Sequence, residues 1–227
     1  MTIRMGLLYK KPEWTTQQFQ QYWLQEHGAL ASELTGIRHY WQNHVVEHQQ
    51  RGIQFARGTW EIDGFSILDV DTENAFISGE LAQALQQDEQ CFLSTLHILE
   101  LQRHDVIPVP DVAQRSQLMK RMSILRRRDD MSEDAFRKEW RMHAELVRKM
   151  PGVKGYRQNV VLRREKVKGQ VCAYEQLPID GVVELWFEDT ASVEQAFGSE
   201  QGQETMVHAQ SFLQEITVFG VKEYQVR

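Results

Sequence analysis

The chain has 227 residues, 41% of them hydrophobic, with 26 basic side chains against 32 acidic ones and a formal net charge of -6 at pH 7. A mean hydropathy of -0.51 describes a soluble globular protein that needs no membrane span. A negative total without a basic stripe argues against nucleic acid as a partner.

In chain order, Ile3 to Tyr9 reads as a strand, ended by the loop that carries Pro12. The first fourteen residues lack the long apolar core and small-residue cleavage site of a secretion signal, so the expected location is the cytoplasm. Thr15 followed by Gln18 fits a capping box. The helix it starts carries Phe19, Trp23, His27, Leu30 and Leu34 at helical spacing, an apolar stripe with one histidine among aromatics. Gly28 is a poor interior helix residue and marks a bend or a close backbone approach beside that histidine. Gly36 ends the helix, and the strand opening at Ile37 puts Tyr40, Gln42 and His44 on one face and His39, Trp41 and Asn43 on the other. Glu47 to Trp60 is polar, with Gly52 and Gly58, and reads as a loop or irregular extension. The turn Asp63-Gly64 introduces a strand from Phe65 to Val70, then a helix from about Thr72 to Gln86 and a strand from Thr95 to Gln102.

The pattern returns about 116 residues later in Phe136, Trp140, His143, Met150, Gly152, Tyr156 and Asn159, which marks an internal duplication. Ser132 takes the capping place of Thr15, Asp180-Gly181 repeats the turn before Val182 to Phe187, a helix runs from Thr190 to Phe197 and on toward His208, and Glu215 to Gln225 is the last strand. One residue is missing between Trp140 and His143, so the two histidines are related but inequivalent. The organisation is domain 1 over residues 1–103, a linker over 104–117 broken by Pro108 and Pro110, and domain 2 over 118–227.

Each domain has the order strand, helix, strand, strand, helix, strand, the α+β split βαβ or ferredoxin-like arrangement. Its antiparallel sheet has helices on one face and a bare apolar face opposite, and two such faces bury each other within one chain. Up to Ala113 there are 7 basic residues against 15 acidic, and afterwards 19 against 17, opposite signs that favour docking of the halves. Cys91 and Cys172 have no ligand spacing and read as buried or idle thiols, and Arg126, Arg127 and Arg128 as a solvated strand end.

His27 has two readings. A histidine on an apolar helix face is commonly a core residue satisfied by one backbone carbonyl. Flanked by Tyr22 and Trp23 and facing Tyr40, it also suits a pocket for a small aromatic or lactone-like molecule, with the imidazole moving a proton. His27 and Tyr40 are the candidate catalytic pair. Trp23, Tyr22, His39 and Asn43, with His143, Tyr156 and Asn159 from the second copy, are the candidate substrate contacts. Tyr40 and Tyr156 are either large sheet residues or donors to a substrate carbonyl or enolate. Asn43 and Asn159 either bond a loop backbone or orient a histidine. With Glu26 pointing elsewhere on the helix, His27 is expected to favour its neutral form unless another carboxylate is near. His39, His44 and His48 lack carboxylate or cysteine partners nearby, so no metal is expected, and no phosphate loop, GxSxG or nucleotide fingerprint is present.

The strings from Phe19 to Leu30 (F-x-x-Y-W-x-x-x-H-G-x-L) and from Gly36 to Asn43 (ending Y-x-Q-N), with DGVVELWF from Asp180 to Phe187, resemble the EthD-like family of the dimeric α/β-barrel superfamily, in two tandem copies. The resemblance implies that the barrel such domains form between molecules is made here within one polypeptide, an internal pseudo-dimer that leaves a homodimer of the whole chain open. The copies depart from each other. The first reads DGFSILDV, with Ile67 where the second has Glu184, and D-E-x-x-F at Asp88, Glu89 and Phe92 follows the family pattern where the second has His208, Ala209 and Phe212. A cofactor-free protein with a pocket for a small hydrophobic molecule is implied. The first expectation is an acid/base enzyme on an aromatic or carbonyl-bearing metabolite, of isomerase, cyclase, decarboxylase or oxygenase type. A non-catalytic binding or accessory protein of an oxidative pathway is the second, and a haem-handling protein the third.

Overall fold

The computed structural model describes residues 2–71 and 79–227. The first half runs β1 (Thr2–Lys10), α1 (Thr16–Tyr22), a π-helical turn (Trp23–His27), α2 (Gly28–Ser32), β2 (Ile37–Glu47), β3 (Gly64–Val70), α3 (Glu80–Phe92) and β4 (Leu93–Ile107). The second runs α4 (Val112–Arg115), β5 (Met119–Arg127), α5 (Glu133–Val147), β6 (Gly155–Val167), β7 (Gln170–Val171), a 3-10 turn (Tyr174–Gln176), β8 (Gly181–Phe187), α6 (Thr190–Gly198), α7 (Glu200–Ala209) and β9 (Leu213–Gln225). The start expected for the second helix, about Thr72, lies outside the described residues; α3 starts at Glu80, after Gly79 at φ +97°, and runs past the expected end at Gln86 to Phe92. β4 continues to Ile107, four residues into the segment expected as linker, because its end pairs with β6.

Local signals explain the element ends. Thr15 and Gln18 form the reciprocal capping box, while Ser132 caps α5 with its hydroxyl alone, Ala135 having no side chain to reach back. Gly36 and Gly152 hold φ of +78° and +77° where each first helix hands over to a strand, the left-handed step that glycine makes without steric cost. The repeated Asp-Gly has a separate use for each residue. Asp63 Oδ2 accepts from Lys10 N at 2.9 Å and Asp180 Oδ2 from Arg127 N at 2.7 Å, pinning the end of each half's first strand. A Cβ on Gly64 or Gly181 would lie 2.4 Å from the indole of Trp23 or Trp140, so glycine lets the helix close on the sheet.

The sheets do more than stack. Strand order is β4-β1-β3-β2-β9-β5-β8-β6, with β7 beyond β6 and with β4 paired to β6, so eight strands close into one barrel. Each half contributes the order expected of a ferredoxin-like unit, and the edges that would lie open are zipped by β2–β9 and β4–β6. Ile3, Met5, Phe65, Leu99, Ile124 and Phe219 are among the side chains that fill the barrel interior, and the helices lie outside. Four ion pairs join the halves on the β4–β6 side, and each half supplies cations to two of them: Arg4–Glu165 and Arg103–Glu184 from the first, Arg157–Asp105 and Lys168–Glu89 from the second, so individual pairing and not net charge matches the halves there.

Three other expectations are corrected or sharpened. Residues 48–63 are irregular, as expected, and the structure gives their place: Ile53 and Phe55 pack into the helix layer of the second half, and Gln50 Nε2 donates to Ile216 O at 3.1 Å. Arg126, Arg127 and Arg128 are ion-paired with Glu215, Asp180 and Asp130, a structural use. The thiols are free but not buried, Cys91 being exposed and Cys172 half-buried.

Candidate functional site

The helix layer of the first half does not close completely on its sheet. Two small apolar clusters, one around Phe19, Trp23 and Phe92 and one around Leu34, Tyr40 and Leu85, flank a cavity of about 670 Å³. That volume lies inside the range of roughly 300–1,000 Å³ usual for small-molecule sites. Its walls include Leu8, Ala31, Leu68 and Leu93 beside Trp23, His27 and Tyr40, and its charged edge carries Glu89, Arg163 and Lys168.

His27 reaches this cavity from a π turn. The first helix holds one residue more than the second between tryptophan and histidine, and the surplus is absorbed as the five-residue π segment, with Gly28 N bonding Trp23 O. His27 therefore packs against Phe92 as His143 packs against Phe212, despite the different spacing. Gly28 sits where this turn passes closest to β2: a Cβ there would come 3.3 Å from Gln42 Nε2.

A carboxylate is close to His27, the exception that the sequence leaves open, and it comes from α3 and not from Glu26. Asp88 Oδ2 on α3 lies 2.7 Å from His27 Nδ1, and Asp88 Oδ1 accepts from the Tyr22 hydroxyl at 2.5 Å. The carboxylate accepts from Nδ1–H, which fixes the tautomer and turns Nε2 into the basic nitrogen. Nε2 has no hydrogen-bond partner among the described residues, and the ring is 8% exposed. The hydrogen bond to Asp88, helped by burial and by the charge of the same carboxylate, raises the Tyr22 phenol well above its ordinary range, so it remains a donor.

Tyr40 is the second polar group in the wall. Its oxygen accepts from Trp23 Nε1 at 3.1 Å and Gln42 Nε2 at 3.2 Å, so its own proton has no acceptor among the described residues. Burial raises its pKa far above the ordinary value, against the lowering effect of those two donors, and keeps the hydroxyl protonated. Gln42 is itself fixed by donating to Trp23 O at 2.7 Å and by contact with His44 Nε2 at 2.9 Å.

The other sequence candidates fall elsewhere. Asn43 and His39 lie on the opposite face of β2, turned toward the barrel interior and its mouth, and do not join His27: Asn43 donates to Phe65 O and accepts from Lys120, and His39 is exposed. Asn159 likewise faces inward, accepting from Arg103 and donating to Glu184 and Val182 O. Alternation along a strand separates neighbouring residues onto two faces, so the Tyr40-to-Asn43 string serves two compartments. The inward asparagines belong to a buried ion cluster. Lys120 Nζ lies 2.7 Å from Glu184 and 2.5 Å from Glu223, and Arg103 Nη2 lies 2.8 Å from Glu184. Burial pushes the Glu184 carboxyl up, but Lys120, Arg103 and Arg157 outweigh it and hold the group well below the usual carboxylate range.

His143 and Tyr156 come together in the second half, but the space there has shrunk to about 50 Å³, lined also by Ile53, Phe197 and Met206. Tyr156 accepts from Gln158 at 2.8 Å as Tyr40 does from Gln42. The residue in the place of Asp88 is His208, whose Nδ1 lies 3.2 Å from His143 Nδ1. Burial, with His208 adding to it, lowers His143 to about 3, so this ring is a neutral core residue. Asp88 and Gln42 are the site residues that sequence reasoning missed; the signals for them were the D-E-x-x-F string and the Q of Y-x-Q-N. Among the described residues no group of three or more His, Cys, Asp or Glu side chains is placed to bind a metal, and no helix is long and apolar enough to cross a membrane.

No curated protein matches the chain in sequence. Among solved structures, an anthrone oxidase-like protein shares the fold with a TM-score of 0.64 at 9% identity, covering 99% of this chain and 92% of the other. A candidate monooxygenase from Lactobacillus acidophilus gives 0.56 at 9% identity over 100% and 94%. A dye-decolorizing peroxidase from Bacteroides thetaiotaomicron gives 0.54 at 6% identity over 97% and 92%. At such identities the likeness is one of fold, the barrel with helices outside. The family is fixed by sequence instead: the EthD domain profile matches residues 11–95 and again residues 128–214, and the chain belongs to the EthD family as two tandem EthD domains in one polypeptide.

Proposed function

We propose that the first-half cavity is the active site of an acid/base enzyme acting on an apolar small molecule with a carbonyl or phenolic oxygen. His27 Nε2 takes the proton, from a carbon next to the carbonyl or from a phenol, and returns it at a later step. Asp88 holds the ring and stabilises the imidazolium that forms. Tyr40 donates its hydroxyl proton as a hydrogen bond to the oxygen on which negative charge develops. The apolar walls hold the body of the substrate and exclude water from the base.

One observation carries this reading: His27, held by a carboxylate, and the buried Tyr40 line the same 670 Å³ space, with the His27 Nε2 and the Tyr40 hydroxyl proton unengaged among the described residues. The description of one fold neighbour as anthrone oxidase-like is compatible with a carbonyl-bearing aromatic substrate. The test begins with native mass spectrometry of the full chain purified without added ligand, to identify a bound metabolite. Turnover of that compound and its loss in His27→Ala support the enzyme. Tight binding with no conversion, unchanged in His27→Ala, makes the protein a carrier or accessory factor instead.

A further inference from the structure

Each half sends the connection after its second strand across the seam onto the other half, and the two connections differ in effect. The first-half connection seats Ile53 in the second half, where it lines the 50 Å³ remnant. Its second-half counterpart begins with the β6–β7 hairpin, which places Lys168 and Gly169 on the wall of the first-half cavity. One fills a site; the other roofs one.

The hairpin is held at its base and at its tip by contacts of unequal strength. At the base Glu165, 3% exposed, accepts from Arg4 of the first half at 2.9 Å, from Arg163 at 2.8 Å and from Gly169 N at 2.7 Å. His97 Nδ1 also donates to Lys166 O at 2.7 Å. At the tip Lys168 Nζ meets both oxygens of Glu89 at 2.6 and 2.8 Å, and its side chain is 34% exposed. A buried carboxylate with three donors is costly to strip, whereas a partly exposed lysine pair exchanges readily with water and salt. The tip is the weak end. Glu89 is the chain neighbour of Asp88, so the tip pair closes on the same helix that holds the histidine.

We propose that the β6–β7 hairpin of the second half controls ligand access to the first-half cavity, with the Lys168–Glu89 pair as its latch. The second domain thus completes the site of the first. The inference rests on the cavity being a ligand site, and its test separates the two ideas.

Stopped-flow fluorescence of the full chain with N-phenyl-1-naphthylamine, a neutral apolar probe, gives the association and dissociation rate constants. Lys168→Ala and Glu89→Gln should each raise both constants by roughly two- to fivefold, the range open to an exposed ion pair, while Kd moves less. Raising NaCl from about 0.05 to about 1 M should speed the native protein and leave Lys168→Ala unaffected. Ala31→Trp, or Leu68→Trp should the first not fold, fills the cavity and should abolish probe binding. Binding that survives a folded filling variant removes the cavity reading and the latch with it. Binding abolished by filling, with both rate constants unchanged in Lys168→Ala and Glu89→Gln, removes the latch alone. Faster dissociation with unchanged association makes Lys168 a ligand contact and likewise overturns the latch.

Discussion

Besides the size of the space they face, the two histidines differ in their nearest polar partner, Asp88 for His27 and His208 for His143. Asp88 holds the His27 ring by Nδ1 and leaves Nε2 toward the cavity, while burial and then His208 make protonation of His143 costlier. His27→Ala should therefore lower turnover by about 10² to 10⁴, the usual worth of general acid/base catalysis. Asp88→Asn should lower it in the same direction by losing the orientation of the ring, and His143→Ala should leave it within a few fold. Long-range ¹H–¹⁵N spectra of neutral His27 give a check free of any substrate: Nδ1–H should dominate in the native chain and lose that dominance in Asp88→Asn. Equal loss of turnover from both histidines would mean two working sites. His27 and Tyr40 were legible in the sequence because helical spacing and an aromatic string place them locally. Their partner was not, since Asp88 is 61 residues from His27 and the approach of α3 to the π turn is a tertiary event.

At the scale of elements, the duplication itself supplies the control experiment. The second copy reaches the matching position over its sheet with a three-residue step on a regular α-helix, and the first reaches it with a four-residue step on a π turn. Deleting exposed Gln25 should convert the π turn to α-helix and keep the His27–Asp88 contact, so a crystal structure of the deletion variant should superpose at that pair. A displaced ring would show that the π turn positions the histidine and is more than an absorbed insertion. The Asp-Gly turns give a stability test. Gly181→Ala puts a Cβ against the fully enclosed Trp140, and overpacking of this kind costs about 1–3 kcal/mol, measurable as a lower urea midpoint at unchanged slope. Element order was readable from caps, glycines and alternation, which act over a few residues. The destination of residues 48–63 was not, because a polar loop has no period to say which half it covers.

At the scale of the whole molecule, closing the barrel buries groups that water would otherwise solvate, and this sets the response to acid. The repeat by itself implied two sheets that face each other, and their closure into a barrel was legible only through the family resemblance, because edge pairing depends on twist and strand length and not on side-chain alternation. Closing the β2–β9 edge lays Tyr224 and Lys222 beside His44, which stacks on Trp23 on the helix-facing side of β2 and is lowered to about 4 by burial and then by Lys222, as the second-half helix layer traps His143, lowered to about 3. Burial lowers His97 in the same direction. In the unfolded chain these rings titrate near the ordinary value of about 6.5. Above that pH neither state binds a proton and their contribution to stability is complete. As pH falls from about 6.5 toward the folded values, the unfolded chain takes up protons that the native chain refuses, and stability drops by roughly 1.4 kcal/mol per pH unit for each fully titrating ring. Urea denaturation between pH 7.5 and about 5.5, above most of the range where carboxylates with an unfolded value of 4.5 titrate, should show that fall, and His143→Leu should flatten it by about the share of one proton. A stability curve level across this window would mean that His44 and His143 are hydrated and chargeable in the native protein, and the tight second-half core described here would have to be open.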